Sequence, residues 1–308
     1  MKFVITPPQH LSSPSGIKFD TYRFYFECIC DYLVTNYTDL SGFVSRAITA
    51  TSPIQANTTL NPSEVEANLK IAWNTEYLLS INHGDSELVR INNQWSPIQA
   101  YYAVYSGMEA LSYGIDGNHA GSHVKAMRKC SDFLVKLGFT PWDKAYTGPR
   151  GKSKTKHNPL NFPSSLFLPH NLQRAGVDPL AMFAKCLKAE HSHRIDDKWK
   201  GKKKSGCYKY DYDPGYTTLL HFLYRLRIKS NYQEIDTFVT DAPDHHILQF
   251  SHSLQLVTSW TLTLFELILI ARLGAQSVID QGKNYLGLNS SATNLAVRVT
   301  EYESIFGI

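Results

Sequence analysis

A mainly α-helical fold, an antiparallel helical bundle with an irregular basic insertion, is predicted for this 308-residue sequence by three observations. Apolar residues recur at the i, i+3, i+4 spacing of a helix face, the stretches that carry them open on capping residues and close on glycine, and one late stretch is apolar on more than one face. The chain is 43% hydrophobic and 19% charged, which excludes wholesale disorder, collagen and coiled coil. A net charge of +4 neither demands nor excludes a polyanionic partner until its distribution is known.

The first sixty residues are the least patterned, and aromatic-rich Phe19 to Val34 is compatible with helix or strand. The first clear helix opens at Asn61-Pro-Ser-Glu64, a cap with proline at the first helical position and an acid at the third. Val65, Leu69, Ala72, Trp73 and Tyr77 then define its apolar face, which ends before Asn82-His-Gly84. Ser96-Pro97 opens a second helix with Ile98, Tyr101, Tyr102, Tyr105 and Met108 on one face and Gly114 to Gly117 at its end. A third runs from Ser122, with Val124, Met127, Cys130, Phe133, Leu134 and Leu137 turned inward and Gly138 as a left-handed stop. These make residues 61–138 the first part of a bundle.

Periodicity fades over residues 139–215, and charge concentrates there. From 140 to 215 the chain holds 15 Lys and Arg against 7 Asp and Glu, a net of +8 that leaves −4 for the remainder. Two runs stand out. Gly148-Pro-Arg-Gly-Lys-Ser-Lys-Thr-Lys-His157 contains Arg150, Lys152, Lys154, Lys156 and His157, an arginine and a histidine seven apart in a basic loop. The second interleaves Lys198, Lys200, Lys202, Lys203 and Lys204 with Trp199, Tyr208 and Tyr210, cations for phosphates and rings for unpaired bases. RNA or another single-stranded nucleic acid is the partner such runs suit.

Helical patterning resumes over 216–280, first with Leu219, Leu220, Leu223 and Leu226. After a pause at Thr240-Asp-Ala-Pro243 comes the long apolar stretch His245 to Leu273, stopped by Gly274 and read as the bundle's central helix. Leu254 to Leu273 has the length of a membrane span, but Gln255, Glu266 and several hydroxyl residues argue for a buried helix and no membrane. The tail, 281–308, is ambiguous. Five cysteines in unpaired spacing and a start without a signal-peptide pattern place the protein in the cytoplasm. His119 with His123, His191 with His193, and His245 with His246 are metal-ligand types that lack a completing pattern, so neither metal nor cofactor is expected.

Two stretches carry a family likeness. Ser96-Pro-Ile-Gln-Ala-Tyr-Tyr-Ala-Val-Tyr105, a Gly-rich turn and then His119 or His123, resembles a helix pair of the HEPN superfamily. Tyr224-Arg-Leu-Arg-Ile-Lys-Ser-Asn-Tyr232, followed by Asp236 and a long helix, resembles the turn that carries that superfamily's RNase motif. The likeness covers residues 61–138 and 216–274. It implies a small helical domain of prokaryotic defence or toxin biology, a homodimer, a protein partner from the same system, and metal-independent RNA cleavage by an arginine and a histidine. It places Arg225 and Tyr232 on the motif, puts Ser230 where the histidine belongs, and allows a shifted register that starts at Arg227. Serine cannot exchange a proton near neutral pH, so the likeness implies either an acid-base histidine from elsewhere, His157 among the candidates with Arg150, or a catalytically inactive binding or scaffold subunit.

Overall fold

The computed structural model describes residues 14–56, 60, 62–81, 85–148, 179–199, 212–239 and 242–308. Among these residues the chain is helical with no strand, and one antiparallel bridge joins Tyr146 to Thr217. The helices are α1 Pro14–Tyr37, α2 Leu40–Thr51, α3 Pro62–Ile81, α4 Ser86–Asn92, α5 Ser96–Asp116, α6 His123–Leu137, α7 Pro179–Trp199, α8 Leu219–Ile228, α9 Ile235–Val239, α10 Asp244–Leu273, α11 Ala275–Leu288 and α12 Thr293–Phe306. A π-helical turn, Lys229–Gln233, extends α8.

The expected centre is the centre. Helix α10 packs against α1, α2, α3, α4, α5 and α11, and most of its apolar length is buried within the bundle. Its closest neighbour, α5, is admitted by glycine. A methyl group on Gly107 would sit 2.8 Å from Leu262 and 2.9 Å from Phe265, and one on Gly114 would sit 2.3 Å from Leu269. Seven residues apart, the two glycines share a face and let the helix backbones approach.

Glu266, the one acid in the apolar stretch of α10, is fully paired. It accepts from Arg298 Nε and Nη2 at 2.9 Å each, from Trp73 Nε1 at 2.8 Å and from Tyr302 Oη at 2.7 Å. Arg298 also forks onto Glu76 at 2.8 Å on both oxygens. All five side chains are buried, so α3, α10 and α12 are tied by a buried network whose charges have their hydrogen bonds.

The C-terminal end of α5 and both ends of α6 follow the capping signals, whereas α5 starts at Ser96 with Trp95 in the cap position and no side-chain cap bond, the Ser96 hydroxyl donating back to Asn92 O. Ser122 accepts from Lys125 N, and Gly117 and Gly138 close their helices at φ 76° and 73°, where a side chain would be strained. Elsewhere the structure departs from the expectation. Phe19 to Val34 is helix, α2 and α4 have no counterpart in the pattern read from the sequence, and the tail forms α11 and α12. The span read as irregular contains α7, a 21-residue helix that buries Met182, Phe183, Ala184, Cys186, Leu187 and Ile195 against α1 and α8. Val124, expected inward, is exposed because α6 turns its opposite face, Ala126, Met127 and Cys130, to α5.

Candidate functional site

Helix α8 carries two arginines two residues apart, which in a helix of 3.6 residues per turn point to opposite sides. Arg225 turns toward α7. Its Nη1 donates to Asp197 at 2.7 Å, and its side chain is largely buried. Glu190, also buried, lies beside it. Burial pushes that carboxyl up to about 8, against the opposing pull of Arg225 and Arg194. His193, on the same helix, is held below its ordinary range by burial and by Arg225 and Lys229. Arg194 is occupied elsewhere, donating to the carbonyls of Pro214 and Tyr216 and to the Thr217 hydroxyl.

Arg227 turns the other way, into tyrosine. Its guanidinium carbon lies 5.2 Å from the ring centre of Tyr102, 5.7 Å from Tyr101 and 5.8 Å from both Tyr224 and Tyr232. Its Nη2 donates to the Tyr102 hydroxyl at 3.0 Å. Among the described residues no carboxylate is paired with it, and its Nε is buried without an acceptor. The charge is thus held by ring faces.

His123 belongs to the same cluster. It opens α6 one residue after the Ser122 cap, and its ring packs on Tyr105 at 4.0 Å, Tyr101 at 5.6 Å, Tyr102 at 6.0 Å and Tyr224 at 6.2 Å. It therefore shares Tyr101, Tyr102 and Tyr224 with Arg227. Its Nδ1 is hydrogen-bonded to Tyr101 Oη at 2.7 Å. Burial and the Arg227 charge hold it below its ordinary range, against a weaker pull from Glu109, so it is neutral at pH 7. Glu109, beneath the cluster, accepts from Ala120 N at 3.1 Å and lies 3.4 Å from His119 Nε2.

The sequence-derived candidates separate accordingly. Arg227 and Tyr232 come together, with the Tyr232 ring 66% exposed at the rim. Arg225 lies on the opposite face of α8. Ser230, in the position the likeness gives to the histidine, is fully buried and donates to Arg227 O at 3.2 Å, a helix-end role. Lys198 is exposed on α7 with its ammonium 5.7 Å from the Tyr212 ring. Arg150, Lys152, Lys154, Lys156, His157, Lys200, Lys202, Lys203 and Lys204 lie outside the described residues, as does the Trp199 side chain.

The sequence singles out His123 by the likeness and by its metal-ligand type, but not the residues around it. Tyr101, Tyr102 and Tyr105 read as one core face because their spacing is that of a core face. Only Tyr101 is fully buried, and the other two are half-exposed. Among the described residues no group of three or more His, Cys, Asp or Glu is placed to hold a metal ion. Compared with family models, with curated proteins and with solved structures, the chain finds no match in any of the three.

Proposed function

We propose that this helical protein binds nucleic acid, RNA in the first instance, and that the Arg227–His123–tyrosine cluster is where it receives a phosphate. The observation that carries the proposal is the state of Arg227: a guanidinium boxed by four tyrosine rings, with no carboxylate partner among the described residues and a neutral imidazole sharing three of its rings. Guanidinium forks suit phosphate oxygens, and exposed rings such as Tyr232 offer stacking faces to unpaired bases. The likeness to HEPN domains supports the same partner class, and the homodimer, the protein partner and the defence or toxin setting that it implies belong to this proposal.

A second reading, a metal-independent ribonuclease, is favoured by one feature. His123 stands near an arginine of the motif-like turn, as an acid-base histidine drawn from elsewhere would. One experiment addresses both readings. The full chain is incubated with a labelled single-stranded RNA in EDTA at several salt concentrations, beside Arg227→Ala, Arg225→Ala and His123→Gln. Binding is expected to weaken steeply as salt rises, to fall about tenfold or more in Arg227→Ala and to stay unchanged in Arg225→Ala. Binding that is absent or indifferent to salt overturns the proposal. Cleavage that persists in EDTA and disappears in His123→Gln moves the conclusion to the ribonuclease.

A further inference from the structure

The hydrogen-bond accounting at His123 decides what the imidazole can offer a ligand. Tyr101 is fully buried, and its hydroxyl has a single partner among the described residues, His123 Nδ1 at 2.7 Å. Burial holds the Tyr101 phenol well above its ordinary range, with the neighbouring tyrosines opposing ionisation and Arg227 favouring it, so the hydroxyl keeps its proton. A buried O–H with one available partner donates to it, because the alternative leaves the donor unsatisfied. Nδ1 is then the acceptor, and the neutral ring carries its proton on Nε2.

We infer that Tyr101 is the positioning residue of this site: by donating to Nδ1 it fixes His123 in the Nε2–H form, so the cluster meets phosphate oxygens with donors alone and holds a strand without taking a proton from it. The identity of the anion rests on the nucleic-acid reading above, whereas the fixed tautomer does not. A ring in this form has no free lone pair. One nitrogen lone pair accepts from Tyr101, and the other nitrogen bears hydrogen, so His123 cannot act as a base on a ribose hydroxyl while the Tyr101 bond stands. Beside it, Arg227 brings guanidinium donors. The groups that face His123 are Tyr101, Tyr102, Tyr105 and Glu109 from α5, and Tyr224 and Arg227 from α8.

The test is a two-bond proton–nitrogen NMR spectrum of the full chain labelled with 15N-histidine, with the His123 signals assigned by their loss in His123→Gln. At pH 7.5 the wild type is expected to show an unprotonated Nδ1 and a protonated Nε2. A protonated Nδ1 overturns the inference. Titration with inorganic phosphate and with a uridine 20-mer is expected to shift the His123 Nε2–H signal. A signal that moves with neither removes the anion-receiving role, and one that moves with phosphate but not with the 20-mer removes the nucleic-acid reading while the donor role stands. Tyr101→Phe is expected to raise the His123 titration midpoint, since the hydroxyl favours the neutral ring, and to weaken 20-mer binding about twofold to tenfold. Unchanged titration and affinity in that variant overturn the positioning role. Should Tyr101→Phe fail to fold by circular dichroism, the wild-type tautomer decides alone. Cleavage of the 20-mer in EDTA that depends on His123 also overturns the donor-only assignment.

Discussion

Two turns of surface on the same short helix treat arginine in opposite ways. On the α7 side of α8, Arg225 pairs with Asp197 at 2.7 Å beside the buried Glu190, which keeps its proton up to about pH 8, so its charge is answered by one carboxylate. On the α5 side, Arg227 meets four tyrosine rings and its charge is left standing. An arginine answered by carboxylates joins helices, whereas one answered by rings is anchored yet can still attract an anion. A third arginine, Arg298, supplies the extreme of the first kind, with two carboxylates and full burial.

If that ordering is right, the largest loss belongs to Arg298. Arg298→Ala would leave the buried Glu76 and Glu266 without the cation that joins them, and a loss of about 3–5 kcal/mol is expected in urea unfolding. A loss below about 1 kcal/mol would show that burial does not rank these arginines.

Glu190 sharpens the comparison through pH. Its folded-state midpoint, about 8, lies above that of an ordinary carboxyl, so between the two the unfolded chain is ionised while the folded chain keeps its proton. Its contribution to stability is therefore fully present below the ordinary carboxylate range and is lost as pH rises through about 8. Glu190→Gln cannot ionise and should match the wild type near pH 4.5 and exceed it by roughly 1–3 kcal/mol at pH 8. Thermal unfolding across that range reads the difference, and a gain independent of pH would remove Glu190 from the account.

The next effect is smaller. Arg225→Ala should cost about 1 kcal/mol, because the Asp197 partner is itself partly exposed, and should leave RNA affinity where it was. A tenfold affinity loss without a stability change would reverse the assignment of the two faces.

How much of this was legible beforehand depended on whether the signal was local. The stops at Gly117 and Gly138 and the Ser122 cap are legible because a cap is written in neighbouring residues, and Pro97 marks the first turn of α5 although Ser96 lies inside the helix and does not cap it. Helix α7 is masked in the sequence because Lys185, Lys188, Arg194 and Lys198 give its span a basic character while Phe183, Leu187 and Ile195 keep helical spacing among them. The site was legible in pieces. Arg227 and Tyr232 were named from the motif-like turn, but the choice between Arg225 and Arg227 depends on what α5 and α7 bring to each face of α8, a tertiary fact. The tyrosines of α5 carry the same period as leucines would, so pattern alone assigned them to packing. Their hydroxyls were the signal for a different role: three in five residues, two of them half-exposed.

The smallest expected effect tests the tyrosine face directly. Tyr102 does two things for Arg227, offering a ring face at 5.2 Å and an oxygen that accepts from Nη2 at 3.0 Å. Tyr102→Phe keeps the ring and removes the oxygen. Because Tyr102 is only half-buried, water can take over the freed donor, and the loss of stability should be about 0.5 kcal/mol. The guanidinium nevertheless loses the Nη2 hydrogen bond that helps to fix its plane among the rings, so RNA affinity should fall about twofold to threefold, with the salt dependence kept because the charge remains. Tyr102→Ala removes the ring as well and should weaken binding further. If the Phe variant binds as the wild type does while the Ala variant does not, the rings alone hold Arg227, and the tyrosine hydroxyl at this position serves the free protein rather than the bound strand.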